Sequence, residues 1–298
     1  MDLLAGLAFW VHDLDPFIFQ IREGIGPRWY GAAYLVGLFL AWWLLRLYYQ
    51  RGRSFLDGPK RETLFYALVI GVFAGGRLGY AILYRPSLFW PNPLKLFEVW
   101  DGGMASHGGF IGVALALCFC ARRFHFDTRA LADIVATTAP PGLFFGRIAN
   151  FINGELWGKV TDFKYAVIFP DAQQRPYFRP DLFTTYSEQL GRYVNPRHAS
   201  QLYEAALEGL VLFVYMQLRF WTRDPQKVKP GHLTGEFLIA YAILRMIGEV
   251  FREPDASLIL GLSRGTFYSV VFILVGVGLI LVARRSANVD TTPQAAAK

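Results

Sequence analysis

Gly146-Arg147-Ile148-Ala149-Asn150-Phe151-Ile152-Asn153-Gly154-Glu155-Leu156-Trp157-Gly158 ends a long apolar run, yet it carries an arginine, two asparagines, a glutamate and three glycines. Charged side chains deep in hydrocarbon cost about 3 kcal/mol each on insertion scales, and chains keep them there mainly for substrates, ions or partner charges. The surrounding sequence decides whether this stretch lies in a membrane, and on which side.

The 298 residues are 54% hydrophobic and 16% aromatic, with only 18% charged. Soluble domains hold about 45–50% apolar and about 25% charged residues, so the composition is that of a membrane protein. The formal net charge of +7 is spread mostly between apolar segments, which points to topology rather than to nucleic acid. Cys118 and Cys120 sit two apart in one apolar segment. They face different ways on a helix, so neither a disulfide framework nor a metal cluster follows, and no cofactor is implied. Residues 1–10 have no basic n-region, so no cleaved signal peptide is expected.

Seven segments have the roughly 20 apolar residues a helix needs to span the hydrocarbon: near 30–49, 63–84, 103–121, 131–152, 201–220, 235–252 and 266–283. The fold class expected is an all-α polytopic membrane protein. Pro140-Pro141-Gly142 predicts a break in the fourth segment. Lys and Arg crowd the connections after segments one, three, five and seven, which places the N-terminus outside and the C-terminus in the cytoplasm. The domain reading is an external arm over 1–29, helices one to four over 30–156 and an external subdomain over 157–200. Helices five to seven follow over 201–285, with a disordered cytoplasmic tail over 286–298. The subdomain is expected to be α/β or irregular, with a β-like run at Tyr165–Phe169. Trp42, Trp43, Trp90 and Trp100 read as interfacial anchors.

On this topology the buried charges gather in the outer half of the membrane. Arg147, Asn150 and Gly154 share one helix face, Tyr241, Arg245, Glu249 and Arg252 form a second stripe, and Gln201, Glu204 and Glu208 form a third. Tyr30, Arg77 and His107 lie at a similar depth. We read these as one outward-opening, arginine-rich polar cavity. Arg245 and Glu249, one turn apart, also read as an ion pair internal to the bundle, and Arg252 as a snorkelling interfacial residue. Arginine forks suit phosphate, so an anionic phospholipid headgroup is the expected ligand, and a nearby histidine could move a proton. The alternative is an anion or lipid transporter with an arginine-lined outer-leaflet site, though no paired broken helices appear in matching halves.

The opening stretch resembles the signature of the bacterial prolipoprotein diacylglyceryl transferases. Further matches are Arg28-Trp29-Tyr30-Gly31, Gly75-Gly76-Arg77, Asp101-Gly102-Gly103-Met104 with His107-Gly108-Gly109, Pro196-Arg197-His198 with Gln201-Leu202-Tyr203-Glu204, and Tyr241 with Arg245. The resemblance implies an enzyme of the bacterial inner membrane, working toward its outer leaflet. It would transfer the diacylglyceryl group of phosphatidylglycerol to the lipobox cysteine thiol in the signal peptide of a preprolipoprotein. The products are a thioether and glycerol phosphate, in the first step of lipoprotein maturation. The same resemblance makes His107, Arg147 and Arg245 catalytic. Around them Tyr30, Arg77, Asn150, Asn153, Glu155, Gly158, Tyr241, Glu249 and Arg252 would bind substrate. Partners are then phosphatidylglycerol, the signal peptide and the bilayer, with no metal.

Overall fold

The structure, a computed structural model, describes residues 9–83, 85–86, 93–97, 103–174, 176–254 and 258–294. Asp101, Gly102, Trp90 and Trp100, singled out above, lie outside the described residues. The fold is mostly helical: α1 (Trp29–Gln50), α2 (Gly58–Leu83), α3 (Ser106–Phe124), α4 (Thr128–Ala136), α5 (Pro140–Ile152), α6 (Ser200–Glu204), α7 (Leu212–Thr222), α8 (His232–Glu249) and α9 (Arg264–Arg285). A π-helical segment, Ala205–Val211, joins α6 to α7. Among the described residues four helices are long and apolar enough to cross a membrane: Trp29–Gln50, Gly58–Ile82, His107–Phe124 and Arg264–Arg285. The other expected spans fall short of that measure for physical reasons. The fourth is split between α4 and α5, and α8 carries Glu236, Arg245 and Glu249.

That split is where Pro140-Pro141 demanded it. The prolines fill the first turn of α5, where a missing N–H costs nothing, while Thr137–Ala139 leave the helical path. A break in a buried helical path needs a donor for its freed carbonyls. Gln217 Nε2 supplies one, donating to the Thr137 carbonyl at 3.0 Å.

The chain forms two compact units. The first draws on residues up to Ala41, on Ala136–Thr222 and on Gly235–Leu281. It contains the small β structure expected between segments four and five. Strand β1 (Trp10–Val11) pairs in parallel with β2 (Val167–Ile168), and β3 (Thr185–Ser187) pairs antiparallel with β4 (Arg192–Val194). His12 fastens the N-terminal arm. Its ring lies among Trp10, Phe151 and Phe169 and hydrogen-bonds the Phe151 carbonyl at 2.7 Å.

The second unit draws on Trp42–Val135, Arg223–Thr234 and the chain from Val282. Its centre is the α2–α3 hairpin, closed by facing glycines. Gly71 and Gly75 on α2 meet Gly112 and Gly108 on α3 so closely that a Cβ on any of them would strike the opposing main chain. Small residues let helices approach in this way where hydrophobicity cannot drive packing. Gly108→Leu is therefore expected to destabilise the hairpin by about 1–3 kcal/mol through overpacking, read as a lower melting temperature in detergent.

Arg77 ties α2 to the connection that follows it. Its guanidinium donates to the main-chain carbonyls of Leu96 (2.9 Å), Lys95 (2.8 Å) and Gly103 (3.2 Å), binding the connection to α2. Val289 bridges to Val228, and the buried Thr291 donates its N–H to the Pro225 carbonyl at 2.8 Å. The backbone groups of this polar stretch thus find partners in the Pro225–Val228 segment.

Candidate active site

The signature stretch forms the end of α5 and the turn after it. Asn153 caps the helix and Gly154 reverses the chain at φ 66°. Glycine suits this point twice over, since positive φ disfavours a side chain and a Cβ would lie 3.2 Å from the His12 ring. Leu156 also adopts positive φ (58°), so the turn is held from outside. Gln201 Nε2 donates to the Glu155 carbonyl (2.6 Å) and Ser200 Oγ to the Leu156 carbonyl (3.1 Å). In this way the start of α6 clamps the turn.

From α5, Arg147 reaches two carboxylates of the next helical segment. Its Nη1 lies 2.9 Å from Glu204 Oε2 and its Nη2 lies 2.9 Å from Glu208 Oε2. From α8, Arg245 touches Glu204, lies 3.3 Å from Glu208 Oε1 and approaches Glu249 Oε2 at 2.8 Å. Arg252 Nη1 completes the group, 3.3 Å from Glu204 Oε1. The result is a closed network of three arginines and three glutamates. Ions removed from water are stable only where their charges and hydrogen-bonding groups are mutually satisfied. Here Glu204 and Glu208 accept hydrogen bonds from the arginines, while Glu249 Oε2 is paired in charge to Arg245 but makes no hydrogen bond among the described residues.

The π segment sets this geometry. Glu204 ends α6, and Glu208 lies within the π turn four residues on. Such turns recur at functional sites because they reset which side chains face a neighbour. Two glycines bring the helices together. Gly209 lies against Phe144 of α5, and Gly248 of α8 faces the Glu204 side chain.

Next to the network, Asn150 Nδ2 donates to the Tyr30 hydroxyl (2.9 Å) and to Glu155 Oε1 (2.8 Å). Tyr241 interacts electrostatically with Glu208, Arg147 and Arg245, and its ring stacks on Phe237 at 6.1 Å. Asn153 Oδ1 is buried without a hydrogen-bond partner among the described residues. The structure thus brings together Tyr30, Arg147, Asn150, Glu155, Tyr241, Arg245, Glu249 and Arg252. His107, in the first turn of α3, and Arg77 belong to the second unit.

Gly158 has a packing role. Its N–H donates to the His198 carbonyl (2.9 Å) and its carbonyl accepts from Arg197 Nη1 (3.0 Å). A Cβ would fall 2.6 Å from His198 Cβ and 2.7 Å from the Phe251 carbonyl oxygen. His198 itself lies among Phe163, Tyr203 and Phe251, and this burial holds its imidazole pKa below the ordinary value. Gly158→Ala is expected to force these strands apart, destabilising the fold by about 1–3 kcal/mol and reducing activity. Limited proteolysis of the 157–200 region would register the loosening.

The cluster is charge-balanced, three arginines against three glutamates among the described residues, and Arg252 is buried in it. Glu204 and Glu208, which share a helix face with Gln201, are its anchors. Their i, i+4 spacing inside an apolar segment was the available signal.

A mostly helical protein with membrane-length helices and a buried arginine–glutamate network is a membrane protein built around a polar site. A family profile described as prolipoprotein diacylglyceryl transferase matches residues 16–282. Relatives named phosphatidylglycerol--prolipoprotein diacylglyceryl transferase are similar along nearly the whole chain. The protein of Photorhabdus laumondii is 45% identical over 276 residues, 90% of this chain and 92% of the relative. That of Salmonella choleraesuis is 43% identical over 286 residues (92% and 94%), and that of Proteus mirabilis 42% over 289 residues (94% and 96%). The chain belongs to the prolipoprotein diacylglyceryl transferase family, and it is a transferase.

Proposed function

We propose that the chain transfers the diacylglyceryl group of phosphatidylglycerol to the lipobox cysteine of preprolipoproteins. Relatives bearing the name of that reaction match over nine-tenths of the chain, and their similarity carries the reading. The thiolate sulfur attacks the diacylglyceryl carbon bonded to phosphate. A C–S bond forms, the C–O bond breaks, and its electron pair leaves on the phosphate oxygen as glycerol phosphate. Arg147 and Arg245 stabilise the charge growing on that phosphate, as fixed donors do in a water-poor site. Tyr30, Asn150, Asn153, Glu155, Tyr241 and Arg252 shape the surrounding pocket.

His107 takes the proton from the thiol, whose ordinary pKa near 8.5 leaves it mostly un-ionised at neutral pH. His107→Gln is expected to lower turnover by about 10²-fold or more. A selenocysteine lipobox peptide, already ionised, should recover much of the loss. Full activity with the cysteine peptide would remove His107 from the role.

In this reading seven segments cross the bacterial inner membrane, with the N-terminus and the 157–200 subdomain outside. The distribution of lysine and arginine supports that orientation. The deciding assay gives purified protein phosphatidylglycerol and a lipobox peptide. Mass spectrometry then seeks the diacylglyceryl thioether and free glycerol phosphate. A folded protein that yields neither would leave a transporter as the better account.

A further inference from the structure

Among the described residues the three arginines of the network are matched by three glutamates. A phosphodiester entering it competes with a carboxylate for a guanidinium, and the three glutamates are unequal. Glu204 contacts Arg147, Arg245 and Arg252, and Glu208 contacts Arg147 and Arg245. Both side chains are fully buried, at 0% exposure. Glu249 contacts Arg245, at 2.8 Å, in an alignment that makes no hydrogen bond.

Glu249 also has somewhere to go. Beside it lies a cavity of about 230 Å³, whose lining includes Glu249, Arg252, Lys159, Met246, Ser263 and Thr266. Gly265, in the first turn of α9, lets the carboxylate lie against that helix at the cavity's edge, since a Cβ there would fall 2.6 Å from Glu249 Oε2 in its present position. The cavity offers a lysine, an arginine and two hydroxyls, so a carboxylate turned into it stays solvated or paired.

We propose that the phospholipid binds by exchange: its phosphodiester replaces the Glu249 carboxylate at Arg245, and that carboxylate swings into the cavity beside α9. The inference rests on the phosphatidylglycerol reading above and assigns its most mobile group. Glu204 and Glu208 hold the arginine forks in place while Glu249 acts as a resident stand-in for phosphate. A site built this way keeps its buried charges compensated when empty, and it disfavours ligands too weakly anionic to compete.

Binding to the full-length protein in detergent tests this without turnover, using dioctanoyl phosphatidylglycerol and no peptide, with dioctanoyl phosphatidylcholine as control. Glu249→Gln removes the competitor and is expected to tighten phosphatidylglycerol binding by about fivefold or more. Met246→Trp fills the cavity and is expected to weaken binding in the wild-type background but not beside Glu249→Gln. That dependence is not produced by general damage to the fold. Should Glu249→Gln not fold, Glu249→Asp withdraws the carboxylate by one methylene and is also expected to tighten binding. Unchanged or weaker phosphatidylglycerol binding in the folded Glu249 variant overturns the exchange. So does a Met246→Trp effect that persists in the double variant. A wild-type protein indifferent between the two lipids would instead overturn the phosphatidylglycerol reading itself.

Discussion

An Arg147→Lys enzyme is expected to fold and to transfer diacylglyceryl about 10²–10³-fold more slowly, the usual loss when one preorganised donor to a developing anion is removed. Lysine keeps the charge but not the fork. Arg147 spans Glu204 and Glu208 with its two terminal nitrogens, each at 2.9 Å, and a single ammonium cannot hold both while meeting a phosphate. Turnover should be measured at saturating phosphatidylglycerol, with the melting temperature recorded alongside. A large fall in kcat at nearly constant stability assigns Arg147 to charge stabilisation. Unchanged kcat would sink the phosphate-clamp role.

Glu204→Gln is expected to act first on the fold. Its carboxylate is the common partner of Arg147, Arg245 and Arg252. Neutralising it leaves three guanidiniums facing two remaining carboxylates in a largely buried region. Removing one partner from a buried ion pair destabilises proteins by about 3–5 kcal/mol, so a markedly lower melting temperature and poor membrane accumulation are expected. Normal stability for this variant would mean that water reaches the cluster and screens it.

These expectations depend on features the sequence revealed unevenly. The membrane-length helices, the break before Pro140 and the gathering of Arg147, Asn150, Tyr241, Arg245 and Arg252 were legible because hydropathy and helical spacing are local properties. Pairing was less legible. Spacing put Glu204 and Glu208 on one face but did not show that they meet Arg147 and Arg245, because such contacts depend on how separate helices pack. The three main-chain carbonyls that Arg77 holds were illegible for the same reason, since an arginine in an apolar helix looks alike whether or not it binds its own chain. His12 was missed altogether. It lies far from the signature in sequence, and the β1–β2 pairing that delivers it spans more than 150 residues.

The π segment at Ala205–Val211 has a consequence for the gene as well as for the site. A π turn accommodates more residues per turn than an α-helix, so it behaves like a small insertion absorbed within the helix. Before it Glu204 meets Arg147, and after it Gln217 meets the Thr137 carbonyl. Both contacts are made to the same stretch of chain. Deleting any one codon in that window other than that of Glu208 would keep every charged residue of the site yet rotate one contact against the other by about 100°. A library of substitutions would score most of these seven positions as tolerant, whereas a library of single-codon deletions would find them fixed in length.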